Sequence, residues 1–184
     1  IWNATGQRII FTDSDMIPDQ HFIVGHIADA LPNNITVGTR YHITMEMQKI
    51  DYRIEDATPD PRETGAFNTI DEGRCLDPWE HVHGCNFSVD RSALLKINGF
   101  DEEYDGNWGA EDVDLAFRLI TQGHQVKPVR EARGYHIDHP SREAKGQREL
   151  LTKKMGEPAR RNTPKSWKDD NYEKVLKGEE GIPL

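Results

Sequence analysis

The 184-residue chain predicts an α/β domain, a sheet with helices layered on it. Three observations point there. A strand–helix–strand order occupies the first quarter of the chain. Short runs rich in β-branched and aromatic residues recur after turn signals. The second half holds one strongly amphipathic helix followed at once by another strand-like run.

Arg8-Ile9-Ile10-Phe11-Thr12 reads as a buried strand that stops abruptly at Asp13-Ser14-Asp15. Pro18 suits the first turn of a helix. Phe22, Ile23, Ile27 and Ala30 give that helix an apolar stripe, and Pro32-Asn33-Asn34 ends it. Ile35 to Tyr41 predicts a second strand. From about Asp51 to Glu80 the chain is rich in Asp, Glu, Pro, Arg and Thr, which predicts a long, irregular, mobile segment of the kind that often serves as a lid or binding loop.

Gly84-Cys85-Asn86-Phe87-Ser88-Val89 predicts a further strand. Asp90 is placed to cap a short helix through Ala93, Leu94, Leu95 and Ile97, which Gly99 closes. After a turn-rich stretch, Ala110 to Gln122 forms the best helix of the chain, with Val113, Ala116, Phe117 and Ile120 on one face. Asp114 and Arg118 are spaced to pair on its surface, and Gly123 caps it. Gln125 to Val129 predicts a strand. Beyond Ser141, Lys, Arg and Glu dominate. One helix is expected near Arg142–Met155, then a loose tail with Trp167 and Tyr172 as anchors. Residues 1–140 are thus expected to be the body of the domain, and 141–184 a helical or flexible tail.

Composition narrows the function. Charged residues make up 30%, hydrophobic residues 35%, and the net charge is −9. A nucleic-acid binder needs a basic face for phosphate, so no nucleic-acid partner is expected. No apolar run approaches the roughly 20 residues of a membrane span. Cys75 and Cys85 form no CxxC pair, and two free thiols are the default reading. Asn3, Asn34 and Asn86 head glycosylation sequons, which matter only in a secretory compartment.

The chemistry-bearing residues cluster at the ends of the predicted elements. Two carboxylates at a strand end, Asp13 and Asp15, can hold a hard divalent cation such as Mg²⁺ or Mn²⁺. Taken alone, the pattern more often marks a solvated or helix-capping turn. Glu111 and Asp112 open the strong helix. Carboxylates there suit the helix dipole, and Asp112 also suits a general base for an acceptor hydroxyl. Trp108-Gly109 just ahead offers a flat apolar face and room for a sugar ring. Trp79 offers another such face toward an acceptor. His136 and His139, around Asp138, follow a predicted strand and are candidate metal ligands.

The order of three blocks carries more than any of them. Gly84-Cys85-Asn86-Phe87-Ser88-Val89-Asp90-Arg91 comes first, then Asn98-Gly99-Phe100-Asp101-Glu102, then Trp108-Gly109-Ala110-Glu111-Asp112-Val113-Asp114-Leu115 with Arg118 and Gly123. Together they resemble family-two glycosyltransferases of the GT-A fold, and the carboxy-terminal region shared by galactosyl- and N-acetylgalactosaminyltransferases. The resemblance runs from about Gly6 to His139.

It implies a Rossmann-like nucleotide-diphospho-sugar transferase sheet, incomplete at its amino terminus. It also implies Mn²⁺ or Mg²⁺ and a nucleotide-sugar donor, most often a uridine one, with a glycan acceptor. Asp13 and Asp15 match the family's metal- and donor-binding Asp-x-Asp. His136 matches the late histidine of the metal site, with His139 the alternative if the register slips. Asp112 matches the base of inverting members, Glu111 the neighbouring carboxylate that holds the acceptor, and Trp108 and Gly109 the loop touching donor and acceptor sugars. A related retaining group carries Glu-Asn where this chain has Glu111-Asp112, which favours inversion. The family also carries strands and a base-binding site ahead of Asp-x-Asp. The expectation is therefore of an amino-terminal portion supplied by a further segment or a partner chain. Members of this kind work in the cytoplasm or at its membrane face, with a lumenal site left open by the sequons. The competing reading is a non-catalytic sugar-binding or scaffolding fragment of such an enzyme.

Overall fold

The computed structural model describes residues 1–49, 54–106, 108–140 and 146–156. A mixed sheet with flanking helices forms the body. Its strands are β1 (Arg8–Thr12), β2 (Met16–Pro18), β3 (Asn34–Ile43), β4 (Thr58–Pro59), β5 (Asn86–Asp90) and β6 (Gln125–Ile137). The order is β1-β5-β3-β6-β2, with β4 paired to β3. β3 and β6 run parallel, and β5 is antiparallel to both β1 and β3. The carboxyl ends of β1, β3 and β6 therefore lie at one end of the sheet. The helices are α1 (Phe22–Ala28), α2 (Met45–Lys49), α3 (Pro61–Asp71), α4 (Arg91–Lys96), α5 (Glu111–Thr121) and α6 (Gln147–Met155).

The expected strands at 8–12 and 84–89 form β1 and β5. Their stacked Phe11 and Phe87 rings, with centroids 4.5 Å apart, tie them at the core. The main cluster joins Ile35, Val37, Phe87, Val89, Leu94, Leu115 and Leu119, so α4 and α5 pack on the same sheet. β3 and β6 both run further than expected, because their register continues past a bulge between Gly38 and Thr39 to Ile43 and Ile137. The Asp13-Ser14-Asp15 link joins β1 to β2, the two ends of the strand order.

Five expectations are corrected. Pro18 does not start a helix; it ends β2, opposite Gly134 of β6. The face of α1 that meets the sheet is Phe22, Gly25 and His26, while Ile23 and Ile27 are exposed. A Cβ on Gly25 would stand 2.6 Å from the backbone nitrogen of Ala132, so the helix approaches as only glycine allows. His26 follows it into the core, Nδ1 2.9 Å from Thr36 Oγ1 and Nε2 2.8 Å from Asn86 Oδ1. Burial pulls His26 down to about 4, so the ring is neutral at pH 7.

The segment expected to be irregular holds α3, which starts at Asp60-Pro61 and buries Glu63, Ala66 and Phe67. Asp90 stands at the start of α4 without capping it, because its carboxylate is drawn to Arg8 Nη1 at 2.8 Å. Asp114 and Arg118 pair inside the protein rather than on its surface. Nε meets Asp114 Oδ2 at 2.9 Å, and the two Nη atoms donate to the carbonyls of Ile97 at 2.8 Å and Gly99 at 2.7 Å.

The tail anchors Trp167 and Tyr172 lie outside the described residues. Both cysteines are free. Asn86 is 2% exposed and donates to the carbonyls of Thr39 and Ala132, so its sequon is sealed in the core. Among the described residues no helix is long and apolar enough to cross a membrane.

Gly38, at the bulge, has no room for a side chain. A Cβ there would lie 2.2 Å from the carbonyl oxygen of Ala132 and 2.4 Å from Asn86 Oδ1. Backbone cannot yield as a flexible side chain does. Gly38→Ala is expected to cost about 1–3 kcal/mol or more, read as a lower urea midpoint at unchanged m. An unchanged midpoint would show that the bulge tolerates a methyl.

Candidate active site

The two acidic motifs converge at the carboxyl end of the sheet. A cleft of about 460 Å³ is lined there by Thr12 and Asp13 from the end of β1, Gly84 before β5, Tyr104 and Gly106, and Glu111 and Asp112 from the start of α5. This is the end of an α/β sheet where ligands bind. A larger hollow of about 850 Å³ lies at the other end, around Thr5, Arg8, Pro32 and Asp90, far from these carboxylates. The convergence of carboxylates marks the site better than volume does.

Asp112 is held at the cleft wall by the backbone N–H of Gly84, which donates to Oδ2 at 2.8 Å. Burial pushes its carboxyl up to about 6, with Glu111 beside it adding to the rise, against the pull of the Gly84 and Val113 amides. Glu111 Oε2 is buried and has no hydrogen-bond partner among the described residues. The loop that delivers the pair is strained. Gly109 has φ +100° and Ala110 has φ +70°, and a left-handed alanine costs on the order of 1 kcal/mol. Such strain is common where a backbone is bent to aim functional groups.

Asp13 stands at the edge of the same cleft. Its carboxyl is raised by partial burial and by Asp15 nearby. Asp15 turns toward β6 instead. Its carbonyl accepts from the Ile137 N–H at 2.9 Å. Its Oδ2 lies 3.2 Å from His139 Nε2 and 3.7 Å from His136 Nε2. Donor atoms of Asp15, His136 and His139 lie within 4.8 Å of one another, close enough to share one cation. Among the described residues Asp15 Oδ1 is buried without a partner, an orphan that a cation would satisfy. Both histidines that the sequence offered as alternatives thus reach Asp15 together. The imidazole-plus-carboxylate set suits Mn²⁺ better than Mg²⁺, which prefers oxygen donors alone.

Not every candidate joins the cleft. Trp108, 51% exposed, does not line it. Trp79 packs edge-on to Phe117 with centroids 5.2 Å apart, so its ring is taken up by the core. Sequence reasoning missed His42. It lies beside His136 in the β3–β6 register, and its Nδ1 is 2.7 Å from Asp138 Oδ1. Its signal was a histidine in an otherwise apolar strand end, too common to single out.

Comparison with known proteins supports the same kind. Residues 65–140 match the family described as the N-terminal domain of galactosyltransferase. The chain is 25% identical to a chondroitin synthase of Pasteurella multocida (strain Pm70), an alignment covering 74% of this chain and 17% of the relative. It is 27% identical to a chondroitin synthase of Escherichia coli, covering 67% of this chain and 16% of the relative. A validoxylamine A glucosyltransferase of Streptomyces hygroscopicus subsp. jinggangensis (strain 5008) is 33% identical over 38% of this chain and 16% of its own length. The chain thus spans about a sixth of the length of these relatives. By its family match and these relatives, the chain is similar to glycosyltransferases, galactosyltransferases and chondroitin synthases among them.

Proposed function

We propose that this chain is the carboxy-terminal part of a GT-A catalytic domain. In this reading it transfers a hexose or N-acetylhexosamine from a uridine nucleotide sugar to a glycan acceptor, with inversion and with Mn²⁺. The observation that carries the reading is the meeting of Asp13 with Glu111 and Asp112 in one cleft at the carboxyl end of the sheet. The names of the relatives, synthases of chondroitin and of hyaluronan, support a glycan acceptor.

Asp112 is the base in this reading. A carboxyl near 6 is ionised at neutral pH yet basic enough to take a proton from an attacking hydroxyl. The Gly84 amide fixes Oδ2, so the carboxylate need not reorganise. Glu111 Oε2, buried and unpartnered, waits for a donor such as an acceptor hydroxyl. Asp15, His136 and His139 would hold the cation, which when bound offsets the negative charge growing on the departing diphosphate. Single displacement by the activated hydroxyl inverts the anomeric carbon.

Calorimetric titration of uridine diphosphate, with and without Mn²⁺, tests the donor side. Wild type is expected to bind only with Mn²⁺, and Asp15→Ala to bind in neither condition. Equal binding by Asp15→Ala would remove Asp15 from the site. Mn²⁺-independent binding by wild type would remove the cation from donor recognition.

A further inference from the structure

We propose that Asp138 is a positioning residue for His136, held in place by His42 and Asp60; this rests on the reading of Asp15, His136 and His139 as a cation site. The His136 ring lies between two carboxylates, one at each nitrogen. Nε2 is 3.7 Å from Asp15 Oδ2, and Nδ1 is 3.5 Å from Asp138 Oδ1. A neutral imidazole that presents Nε2 as a ligand must carry its proton on Nδ1, so an acceptor at Nδ1 selects the binding tautomer. Asp138 is the acceptor there. At 3.5 Å the contact is long, but the carboxylate charge still favours a proton on the nitrogen that faces it.

Asp138 is itself fixed. Its backbone N–H donates to the Ile43 carbonyl at 3.0 Å, locking it to the end of β3. The Oδ1 that faces His136 is also 2.7 Å from His42 Nδ1. His42 Nε2 is in turn 3.3 Å from Oδ2 of Asp60, which is 1% exposed. Asp60 accepts from Arg40 Nε at 3.1 Å and also pairs with Arg40 Nη2. The chain of contacts thus runs from the buried Arg40–Asp60 pair through His42 and Asp138 to His136. It couples the start of α3 to the ligand ring. Nothing in a surface histidine's needs would call for such backing. A ligand that must hold one tautomer and one orientation does call for it, and losing this kind of support typically weakens metal binding about 10–100-fold.

Donor atoms of His42, His136 and Asp138 also lie within 4.8 Å of one another, so a second cation there is the rival arrangement. Manganese titration of the full chain, read by the loss of the free-ion electron paramagnetic resonance signal, separates the two. Wild type is expected to bind one Mn²⁺. Asp138→Ala should still bind one, about 10–100-fold more weakly, with Asp138→Asn between the two because an amide keeps an acceptor but not the charge. In the cation-free chain at pH 8, ¹⁵N–¹H multiple-bond spectra should place the His136 proton on Nδ1 in wild type. They should show a shift toward Nε2 in both variants. Asp15→Ala is the control and should lose the ion.

Unchanged affinity or an unchanged tautomer in the Asp138 variants, with Asp15→Ala unable to bind, would overturn the positioning role and leave the cation site standing. Two Mn²⁺ per wild-type chain, one of them lost with Asp138, would make Asp138 a ligand and overturn it as well. Normal binding by Asp15→Ala would overturn the cation site, and the positioning role with it.

Discussion

Asp112→Asn is expected to lower glycosyl transfer by roughly 10²–10⁴-fold, the usual worth of a positioned base, while making the fold more stable at pH 8. The loss follows from the role: an amide cannot take the acceptor's proton. The gain follows from burial. At pH 8 the carboxylate is ionised in a place that holds its pKa near 6 instead of the ordinary 3.8. Keeping it charged there costs on the order of 3 kcal/mol, at about 1.4 kcal/mol per unit. The amide avoids that cost and can still accept from the Gly84 N–H through its oxygen, while its NH₂ group then faces the Val113 N–H that donates to Oδ1 at 2.7 Å, which offsets part of the gain. A gain of about 1–3 kcal/mol in urea unfolding at pH 8 is the expected reading. A variant that transfers normally, or one less stable than wild type at pH 8, would remove Asp112 from the role of a buried base.

The pH profile sharpens this test. Between about 3.8 and 6 the folded chain holds a proton on Asp112 that the unfolded chain has lost, so Asp112 makes stability fall as pH rises through that window. His26 acts in the opposite sense. From about 6.5 down to 4 the unfolded chain gains a proton that the buried ring refuses, so His26 makes stability fall as pH drops. In wild type the two slopes largely cancel. In Asp112→Asn the His26 slope loses that opposing slope, and stability should rise more steeply from pH 4 to 6.5 than in wild type.

Arg118→Leu is expected to cost about 3–5 kcal/mol, the range for leaving a buried charge without its partner. Domains are stable by only about 5–15 kcal/mol, so the loss is a large fraction of the total and lowers the melting temperature by many degrees. The Arg118 side chain is 1% exposed and Asp114 is fully buried. Burial draws the guanidinium down to about 10, which still leaves it cationic at neutral pH. Its Nη atoms satisfy the carbonyls of Ile97 and Gly99, where the chain leaves α4. Truncation therefore takes the cation from a buried carboxylate, which keeps the Tyr104 hydroxyl at 3.2 Å, and removes the donors of two carbonyls at once. Arg118→Leu with Asp114→Leu removes the stranded charge as well, and should recover part of the loss. Thermal unfolding of single and double variants checks both. A single variant within 1 kcal/mol of wild type would mean that the pair does not tie α5 to the turn after α4.

Much of the fold was legible because it rests on local signals. β1 and β5 are short apolar runs, and α5 shows a clear helical period in Val113, Ala116 and Phe117. What failed depends on tertiary context. The face of α1 was misread because the helix meets the sheet through Gly25 and His26, neither of which adds to an apolar stripe. α3 looked irregular because its buried face includes a glutamate, although Asp60-Pro61 with Glu63 two residues on was a readable helix start. Asp114 and Arg118 gave the right spacing, but spacing cannot tell a surface from a core. At the site, Asp13, Asp15, Glu111 and Asp112 carried recognisable motifs. His42 carried none, because only the parallel pairing of β3 with β6 brings it to His136.

The link from β1 to β2 sets a length that the sheet must obey. Thr12 and Met16 are four peptide steps apart, a reach of at most about 14 Å. Yet β1 and β2 sit at opposite ends of a five-strand order, which laid flat would separate them by about 19 Å. The sheet therefore has to arch. It can do so at the Gly38–Thr39 bulge, where pairing with β5 gives way to the second half of the β3–β6 ladder. Asp13 and Asp15 ride on the tether that closes this arch. The spacing between the cleft and the Asp15–His136–His139 cluster is thus a matter of curvature as much as of side chains. A change that flattened the bulge would pull the two centres apart without touching either.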